Sequence, residues 1–278
     1  MEKVRLATIL GTFQATLINF KYVSSLWKKN CEEERLLGVS LTGIMDCKLT
    51  NGKDAGLEKL LDELREQAIK TNEEFAKKIG INQSVAVTCV KPSGTVSQLV
   101  DAASGIHARH NPYYVRTVRG DKKDPLTKMM TEAGFPVEDD QTNPSHTSVF
   151  SFPMKVDNSA VFRTELSAIE QLELWLVYQK YWCEHKPSVT ISVKEDEWLE
   201  VGAWVYKNFD YMSGVSFLPF AEHTYKQAPY QDCKKEEYEI LLNKMPKNVE
   251  WDKLAKYEKT DMTIGVQELA CASGFCEI

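Results

Sequence analysis

The sequence predicts an α/β fold in which amphipathic helices alternate with strands of a mostly parallel sheet. Helix-like apolar periodicity fills long segments such as 54–79 and 164–184. Short runs rich in Val, Ile, Ser and Thr, such as SVTISV at 188–193, lie between these segments. Strands that alternate with helices along a chain are typical of βα units whose strands run parallel.

The N-terminal part begins this alternation. The first 45 residues predict a long helix followed by a buried strand at 36–44. Residues 54–79 predict an amphipathic helix that Gly80 ends, because glycine readily adopts the left-handed conformation found after helices. A strand is expected at 84–90, where the sequence is SVAVTCV. The apolar face of the helix consists of Leu57, Leu60, Leu61, Leu64 and Ala68.

The remaining elements continue the same pattern. Asp124 and Pro125 occupy the N-cap and first-turn positions of the next helix. Residues 221–264 are expected to wrap the domain as loops and short helices, and residues 265–278 to form a mobile tail. Further helices are predicted at 124–134, 164–184 and 195–208, and further strands at 147–152, 188–193 and 213–218.

Composition and charge exclude several classes of protein. The 278 residues carry 34 basic and 40 acidic side chains, and the net charge of −6 argues against general binding of nucleic acids. No run approaches the ~18 apolar residues of a membrane span, and the N-terminus predicts a helix rather than a signal peptide. With 43% hydrophobic residues, a sizeable core can form. We therefore expect a soluble, cytoplasmic protein.

The segment VAVTCVKPSGTVSQLV at 85–100 is the first candidate site. A strand runs into a turn at which a short helix is expected to begin. The free N–H groups and positive dipole end of a helix favour a phosphate, but Ser and Thr are also the usual helix caps. The P-loop and dinucleotide-binding patterns are both absent, so spacing alone leaves phosphate binding and simple capping open. The residues of this turn are Pro92, Ser93, Gly94, Thr95, Val96 and Ser97.

A basic cluster follows at 101–120, and we expect it to lie close to this turn. Arginine pairs well with phosphate and carboxylate groups, which makes His107 and Arg109 secondary candidates for substrate binding. The alternative is that the arginines are solvated or salt-bridged and that the histidines bond the loop backbone. The histidines lack the further ligands that a metal site needs, so no metal site is predicted. The cluster consists of His107, Arg109, His110, Arg116 and Arg119.

Five of the seven cysteines are scattered along the chain, without a C-x-x-C pair or histidines at zinc-ligand spacing. They are most simply small, partly buried thiols. Cys183 lies two residues before His185, which allows a Cys/His nucleophile, although this pattern is more typical of a helix end.

Cys271 and Cys276 form a close pair at the C-terminus. A disulfide between them would close a very short loop and would stabilise little. Exposed thiols on a flexible arm can instead exchange with disulfides elsewhere. The pair therefore predicts a carrier of reducing equivalents, with two incidental cysteines as the alternative.

Several of these motifs resemble one family. The long segment at 90–136, VKPSGTVSQLVDAASGIHARHNPYYVRTVRGDKKDPLTKMMTEAGFP, resembles the C-terminal half of class II, adenosylcobalamin-dependent ribonucleotide reductases, particularly the monomeric triphosphate reductases. RLLGVSLTGIMD, KPSVTISV and SGVSFLPF resemble other strands of the same barrel half, and CASGFCEI is similar to the C-terminal dithiol arm of the family. The resemblance covers nearly the whole chain.

The resemblance implies a fold and a reaction. The family fold is a ten-stranded α/β barrel of two five-stranded halves, as in the glycyl-radical enzymes, and this chain would form the C-terminal half in residues 1–220. Cobalamin homolysis generates a thiyl radical on a finger-loop cysteine, and the 2′ hydroxyl of the ribonucleotide then leaves as water. By this resemblance the turn from Pro92 to Ser97 binds the substrate phosphates, and Cys271 and Cys276 reduce a barrel disulfide with electrons from a thioredoxin-like reductant.

The departures from the family are equally informative. The Asn-Pro-Cys-x-Glu motif of the radical cysteine is absent, because Asn111-Pro112 and Asn143-Pro144 are not followed by cysteine. The barrel cysteine pair and the nucleotide-recognition region would also lie upstream. We therefore expect a partner, an N-terminal reductase polypeptide, with adenosylcobalamin bound mainly by that portion or at the shared interface. Two rival hypotheses are a stand-alone α/β phosphate-binding enzyme and a non-catalytic, thiol-bearing interaction subunit.

Overall fold

The computed structural model describes residues 1–94, 96–156, 159–220, 226–259 and 262. Helices and strands alternate in it, as the sequence predicts. The described helices are α1 (Glu2–Gln14), α2 (Ser25–Glu34), α3 (Leu57–Ile79), α4 (Val96–Leu99), α5 (Pro125–Glu132), α6 (Ala168–Tyr181), α7 (Trp198–Lys207), α8 (Lys235–Lys244) and α9 (Leu254–Tyr257). The described strands are β1 (Val39–Ser40), β2 (Thr88–Cys89), β3 (Tyr113–Asp121), β4 (Val137–Asp139), β5 (Thr147–Lys155), β6 (Val189–Val193), β7 (Val215–Pro219) and β8 (Tyr230–Asp232).

The helix ends follow the sequence signals. After α3, Gly80 adopts the left-handed conformation, with φ of +74°, so its predicted role as the stop is confirmed. The Asp124 side chain accepts a 2.7 Å bond from the Leu126 N–H, and Pro125 occupies the first turn of α5. At the start of α6, Ser167 and Glu170 form a capping box that satisfies N–H groups at the helix start.

Four strands form two parallel pairs, β1 with β2 and β6 with β7. A hydrogen bond of 3.0 Å from the Ser188 N–H to the Val90 carbonyl connects the end of β2 to the start of β6. Helix α6 packs on this region, and two buried indole N–H groups, one on α6 and one on the residue after it, bond to backbone carbonyls. Trp175 donates to Pro187 at 2.9 Å, and Trp182 donates to Cys89 at 2.7 Å. The parallel part of the prediction is therefore confirmed.

A second sheet is antiparallel, with the strand order β4-β5-β3-β8. This corrects the prediction that residues 147–152 belong to a parallel sheet. Strand β5 pairs with β3 along nine residues of each, from Tyr113 opposite Lys155 to Asp121 opposite Thr147. Strand β8 adds to the outer edge of β3, so the region after residue 226 contains a strand as well as short helices.

The N-terminal region also differs from the prediction. The single long helix is two helices, α1 and α2, and the strand expected at 36–44 is limited to β1. No strand reaches residue 44, because Gly43 adopts a left-handed conformation, with φ of +69°, and a 3-10 turn begins at Ile44. None of the helices in the described part is long and apolar enough to cross a membrane.

Candidate functional site

The turn after β2 is held by its own backbone and by two neighbouring segments. The Ser97 N–H bonds the Ser93 carbonyl at 3.0 Å, and the buried Ser97 hydroxyl donates to the same carbonyl. The Ser93 N–H donates to the Ser104 hydroxyl at 2.9 Å, and the Lys91 N–H to the Ser40 hydroxyl at 2.9 Å. Ser97, the second residue of α4, thus uses both its N–H and its hydroxyl to hold the Ser93 carbonyl, so its hydroxyl belongs to the internal structure of the turn.

Thr42 connects the turn to the following loop. Its hydroxyl lies 2.9 Å from the Ser93 hydroxyl, donates to the Ala103 carbonyl at 2.9 Å, and accepts from the Gly105 N–H at 3.1 Å. Because the single proton of Thr42 is directed to Ala103, Ser93 is the donor between the two hydroxyls. The turn and residues 103–105 therefore form one hydrogen-bonded unit.

Gly105 lets the loop approach the turn closely. Its φ is +53°, and a Cβ atom at this position would lie 2.8 Å from the Lys91 carbonyl oxygen. Any other residue would be strained twice, by its backbone conformation and by this contact. Glycine is thus required at position 105 for the loop to pack against the end of β2.

Arg109 braces this loop instead of facing solvent. Its guanidinium is 7% exposed and donates to both Asp46 carboxylate oxygens, at 2.8 and 3.0 Å, and to the Asp101 carbonyl at 2.6 Å. Asp46 also accepts a 2.6 Å bond from the Ala103 N–H. These contacts favour the alternative in which Arg109 is salt-bridged, so its first role is to position residues 101–103.

His107 joins the loop to β6. Its Nδ1 lies 3.0 Å from the Ser104 carbonyl, and its Nε2 lies 3.0 Å from the Thr190 N–H. Since the Thr190 amide can only donate, Nε2 accepts and the proton is on Nδ1. Burial lowers the pKa of His107, which keeps the ring neutral. The alternative in which a histidine bonds the loop backbone is therefore favoured.

The rest of the basic cluster does not gather at the turn, which corrects that expectation. Arg116 and Arg119 lie on β3, where alternate residues face opposite sides of the sheet. The Arg116 guanidinium lies 4.5 Å from the centre of the Tyr230 ring. Arg119 donates to Asp140 at 2.9 Å and to the Gln227 carbonyl at 3.1 Å. Both arginines stabilise the antiparallel sheet.

His110 is itself buried and belongs to a polar cluster around the half-exposed Asp232 that the sequence analysis did not predict. Its Nε2 lies 2.7 Å from a carboxylate oxygen of Asp232, to which Arg163 donates at 3.2 Å and Asn111 at 2.6 Å. Burial, together with Arg163, lowers the pKa of His110 to about 4, although Asp232 opposes the shift. No local pattern signals this group, because its members come from three distant parts of the chain.

Of the five described cysteines, four are buried or partly buried, as predicted, whereas Cys47 is exposed, which corrects that expectation for this residue. Cys89 and Cys183 are buried, and burial raises the pKa of both thiols. The nearby His185 ring lies 3.3 Å from the Ala86 carbonyl, so the geometry favours a helix end over a Cys/His nucleophile. Within the described ranges, no three His, Cys, Asp or Glu side chains are placed to hold a metal ion. Thr95, Cys271 and Cys276 lie outside the described residues.

Comparison with known proteins supports the predicted resemblance. The sequence is 31% identical over 247 residues to an adenosylcobalamin-dependent ribonucleoside-triphosphate reductase of Euglena gracilis, a match that covers 86% of this chain. It is 28% identical over 277 residues, 89% of this chain, to the corresponding reductase of Lactobacillus leichmannii. A probable reductase of the same type from Dictyostelium discoideum is 33% identical over 234 residues, 79% of this chain. No protein-family model matches the sequence.

The fold comparison agrees with these sequences. A crystal structure of a B-12 dependent, class II ribonucleotide reductase superposes on 94% of this chain with a TM-score of 0.77 at 23% identity, and the match covers 40% of that chain. The matches cover 34% of the Euglena relative, 37% of the Lactobacillus relative and 29% of the Dictyostelium relative. The chain is thus homologous to the class II, adenosylcobalamin-dependent ribonucleotide reductases along about a third of their length.

Proposed function

We propose that this chain supplies the C-terminal portion of a ribonucleotide reductase that converts ribonucleoside triphosphates to 2′-deoxyribonucleotides by thiyl-radical chemistry. The observation that carries the proposal is the match of 86% of the chain to the Euglena reductase, of which it covers only 34%. The sequence has no Asn-Pro-Cys-x-Glu motif. The radical cysteine is therefore assigned to a partner portion, the N-terminal reductase polypeptide.

In this proposal, residues 1–220 form the C-terminal half of the reductase barrel. The two parallel pairs and the hydrogen bond between Ser188 and Val90 support this. Together they connect β1, β2, β6 and β7 side by side in this order. Parallel strands with helices between them are the construction of α/β barrels. Residues 221–264 are assigned to the wrapping segment and residues 265–278 to the redox tail.

The turn Pro92–Ser97 is proposed to hold the substrate phosphates. Among its residues, Pro92, Ser93 and Gly94 are partly exposed, whereas Ser97 is buried and holds the turn in shape. The brace formed by Asp46 and Arg109 fixes the adjacent loop, so the turn is held before a substrate arrives. Such preorganisation lowers the entropy cost of binding. His107 and Arg109 then act on the substrate only through the position of this loop.

Cys271 and Cys276 are proposed to deliver electrons. Their two thiols become a disulfide while a disulfide of the barrel becomes two thiols, a transfer of two electrons and two protons by thiol–disulfide exchange. A thioredoxin-like reductant then returns the tail to its dithiol form. This arrangement lets one polypeptide reduce cysteines of another.

Adenosylcobalamin comes to this proposal from the relatives, whose names state that dependence. When bound, it supplies the homolysis that generates the thiyl radical. Near the turn, Val96, Leu99 and Val100 are between 62% and 81% exposed and form an open apolar surface, not an enclosed site. An open surface of this kind does not enclose a corrin, and we assign the cofactor mainly to the partner portion or to the shared interface.

The test combines this chain with the polypeptide of the same organism that carries Asn-Pro-Cys-x-Glu. We expect deoxynucleotide formation from a ribonucleoside triphosphate only when both polypeptides, adenosylcobalamin and a thiol reductant are present. Reductase activity of this chain alone, or inactivity of the complete mixture, would contradict the proposal.

The tail is tested in the same assay with Cys271→Ser and Cys276→Ser combined. This variant should lose multiple turnover with a thioredoxin-like protein, because the relay of electrons is broken. A small dithiol that reaches the barrel directly should still support reduction. Equal turnover of the variant and the unchanged chain with the protein reductant would show that the cysteines are incidental.

A further inference from the structure

Helix α1 has its polar and apolar faces reversed relative to a surface helix of a globular protein. The face toward α3 buries Val4, Thr8 and Thr12, two of which are polar. The opposite face exposes apolar side chains at helical spacing. Leu10 is 71% exposed, and Leu17 just beyond the helix is 72% exposed. Leu6, one turn before Leu10, is 50% exposed on the same face, whereas the Phe13 ring lies 6.5 Å from the Phe75 ring of α3.

Hydrogen bonds fix this orientation. The Thr8 and Thr12 hydroxyls donate to carbonyls one turn earlier, at 2.8 Å each. The Asn72 amide of α3 donates to the Thr12 hydroxyl at 3.0 Å, and its oxygen accepts from the Ser84 N–H at 2.8 Å. Rolling α1 to bury its leucines would break this buried polar contact, and an unsatisfied buried polar group costs about 1–3 kcal/mol. These hydrogen bonds therefore keep the apolar face of α1 directed outward.

An open strand edge lies beside this helix. Leu37, next to β1, is close enough to Gly11 of α1 that a Cβ atom there would lie 3.6 Å from it. Strand β1 pairs with β2 on one side, and in the described part no strand covers its other side. Exposed strand edges and extended apolar patches both mark surfaces that another segment covers.

We propose that the outward face of α1, with the adjacent edge of β1, is the surface that binds the remaining portion of the reductase, which contributes a strand along β1 and an apolar helix face against α1. This inference rests on the proposed function. The choice of occupant follows from length, because about two thirds of the Euglena relative has no counterpart in the match, which covers 34% of it. A βα unit of that portion would cover both features at once, as in an α/β layer structure.

The experiment measures binding of the full chain to the polypeptide that carries Asn-Pro-Cys-x-Glu, by sedimentation velocity and titration calorimetry. Leu10→Glu places a charge in the centre of the proposed surface. Leu199→Glu on α7 is the matched control, since Leu199 is 91% exposed on another helix. We expect Leu10→Glu to weaken binding at least about tenfold, as for a central interface residue, and Leu199→Glu to change it less than about twofold.

Folding is checked by far-UV circular dichroism and by the melting temperature. Both variants change exposed positions, so both should melt within about 2 °C of the unchanged chain. If Leu10→Glu fails to fold, Leu17→Glu replaces it. Amides of α1 and of residues 38–40 should also exchange more slowly in the complex.

The outcomes separate the two proposals. If the unchanged chain binds its partner and Leu10→Glu binds equally tightly, or if Leu199→Glu weakens binding as much, this surface is wrongly assigned while the proposed function stands. If the unchanged chain forms no complex, the proposed function itself is overturned. If the chain alone forms a dimer that Leu10→Glu dissociates, a second copy covers this face and the inference is overturned.

Discussion

The ion pair between Asp46 and Arg109 should be one of the most sensitive points of the fold. Asp46→Ala would leave the Arg109 guanidinium, which is 7% exposed, without its main acceptors. Removing one partner of a buried pair costs about 3–5 kcal/mol. Arg109 keeps the Asp101 carboxylate at 3.3 Å and the Asp101 carbonyl at 2.6 Å. We therefore expect the low end, about 3 kcal/mol.

That loss converts to a measurable shift. For a chain of this size, 1 kcal/mol lowers the melting temperature by about 2–4 °C, so Asp46→Ala should melt roughly 6–12 °C lower. The assay is thermal unfolding followed by circular dichroism. Glu66→Ala is the control, because the Glu66–Lys70 pair is exposed on α3 and exposed pairs contribute only about 0–1 kcal/mol.

A double variant tests the cause. Arg109→Met together with Asp46→Ala removes both charges, so no unpaired charge remains buried. The double variant should be more stable than the sum of the two single losses predicts, by about 1 kcal/mol or more. Additive losses, or a shift for Asp46→Ala no larger than that for Glu66→Ala, would refute the idea that a buried ion pair holds this loop.

Two further predictions concern pH and the loop beside the turn. The folded-state pKa of His110 is about 4 against an ordinary value of 6.5. Only the unfolded chain then binds this proton between these values, so stability should fall as the pH drops from 6.5 towards 4, by up to about 1.4 kcal/mol per pH unit. His110→Gln should show a shallower loss in urea titrations across that range, and an identical pH dependence would contradict this. Gly105→Ala should destabilise by at least about 1 kcal/mol more than Gly80→Ala in the same titrations, because both positions have positive φ but only Gly105 meets a carbonyl at 2.8 Å. Equal losses would mean that the loop does not depend on this close approach.

The elements predicted well are those whose signals are local. Helix α5 begins at Pro125, next to the Asp124 cap, and α3 ends at Gly80, because caps and left-handed glycines act within a few residues. Strands β6 and β7 lie within one or two residues of their predicted bounds, since their apolar runs are short. The family resemblance was predicted from sequence motifs and is confirmed by the relatives.

Strand β3 was missed because its arginines made the segment resemble a polar loop. In the fold, the Arg116 guanidinium packs on the ring of Tyr230, which lies far along the chain on β8, and Arg119 pairs with Asp140. A strand in the middle of an antiparallel sheet can carry charges when distant residues supply their partners. Periodicity along the chain contains no information about such partners.

The candidate site shows the same division between local and distant information. The sequence shows the hydroxyls and the glycine of the turn. It does not show which polar groups are already hydrogen-bonded to other residues and so are not available to a ligand. Ser97 is used by the Ser93 carbonyl, and Arg109 by Asp46. The residues best suited to hold a phosphate by type are thus partly consumed in building the turn. In the proposed function, the substrate phosphates therefore bind through groups that the turn does not already use, since the Ser93 and Ser97 N–H groups are bonded as well. Affinity for a substrate should then respond more to Gly105→Ala, which displaces the backbone beside the turn, than to loss of any single basic side chain in the cluster.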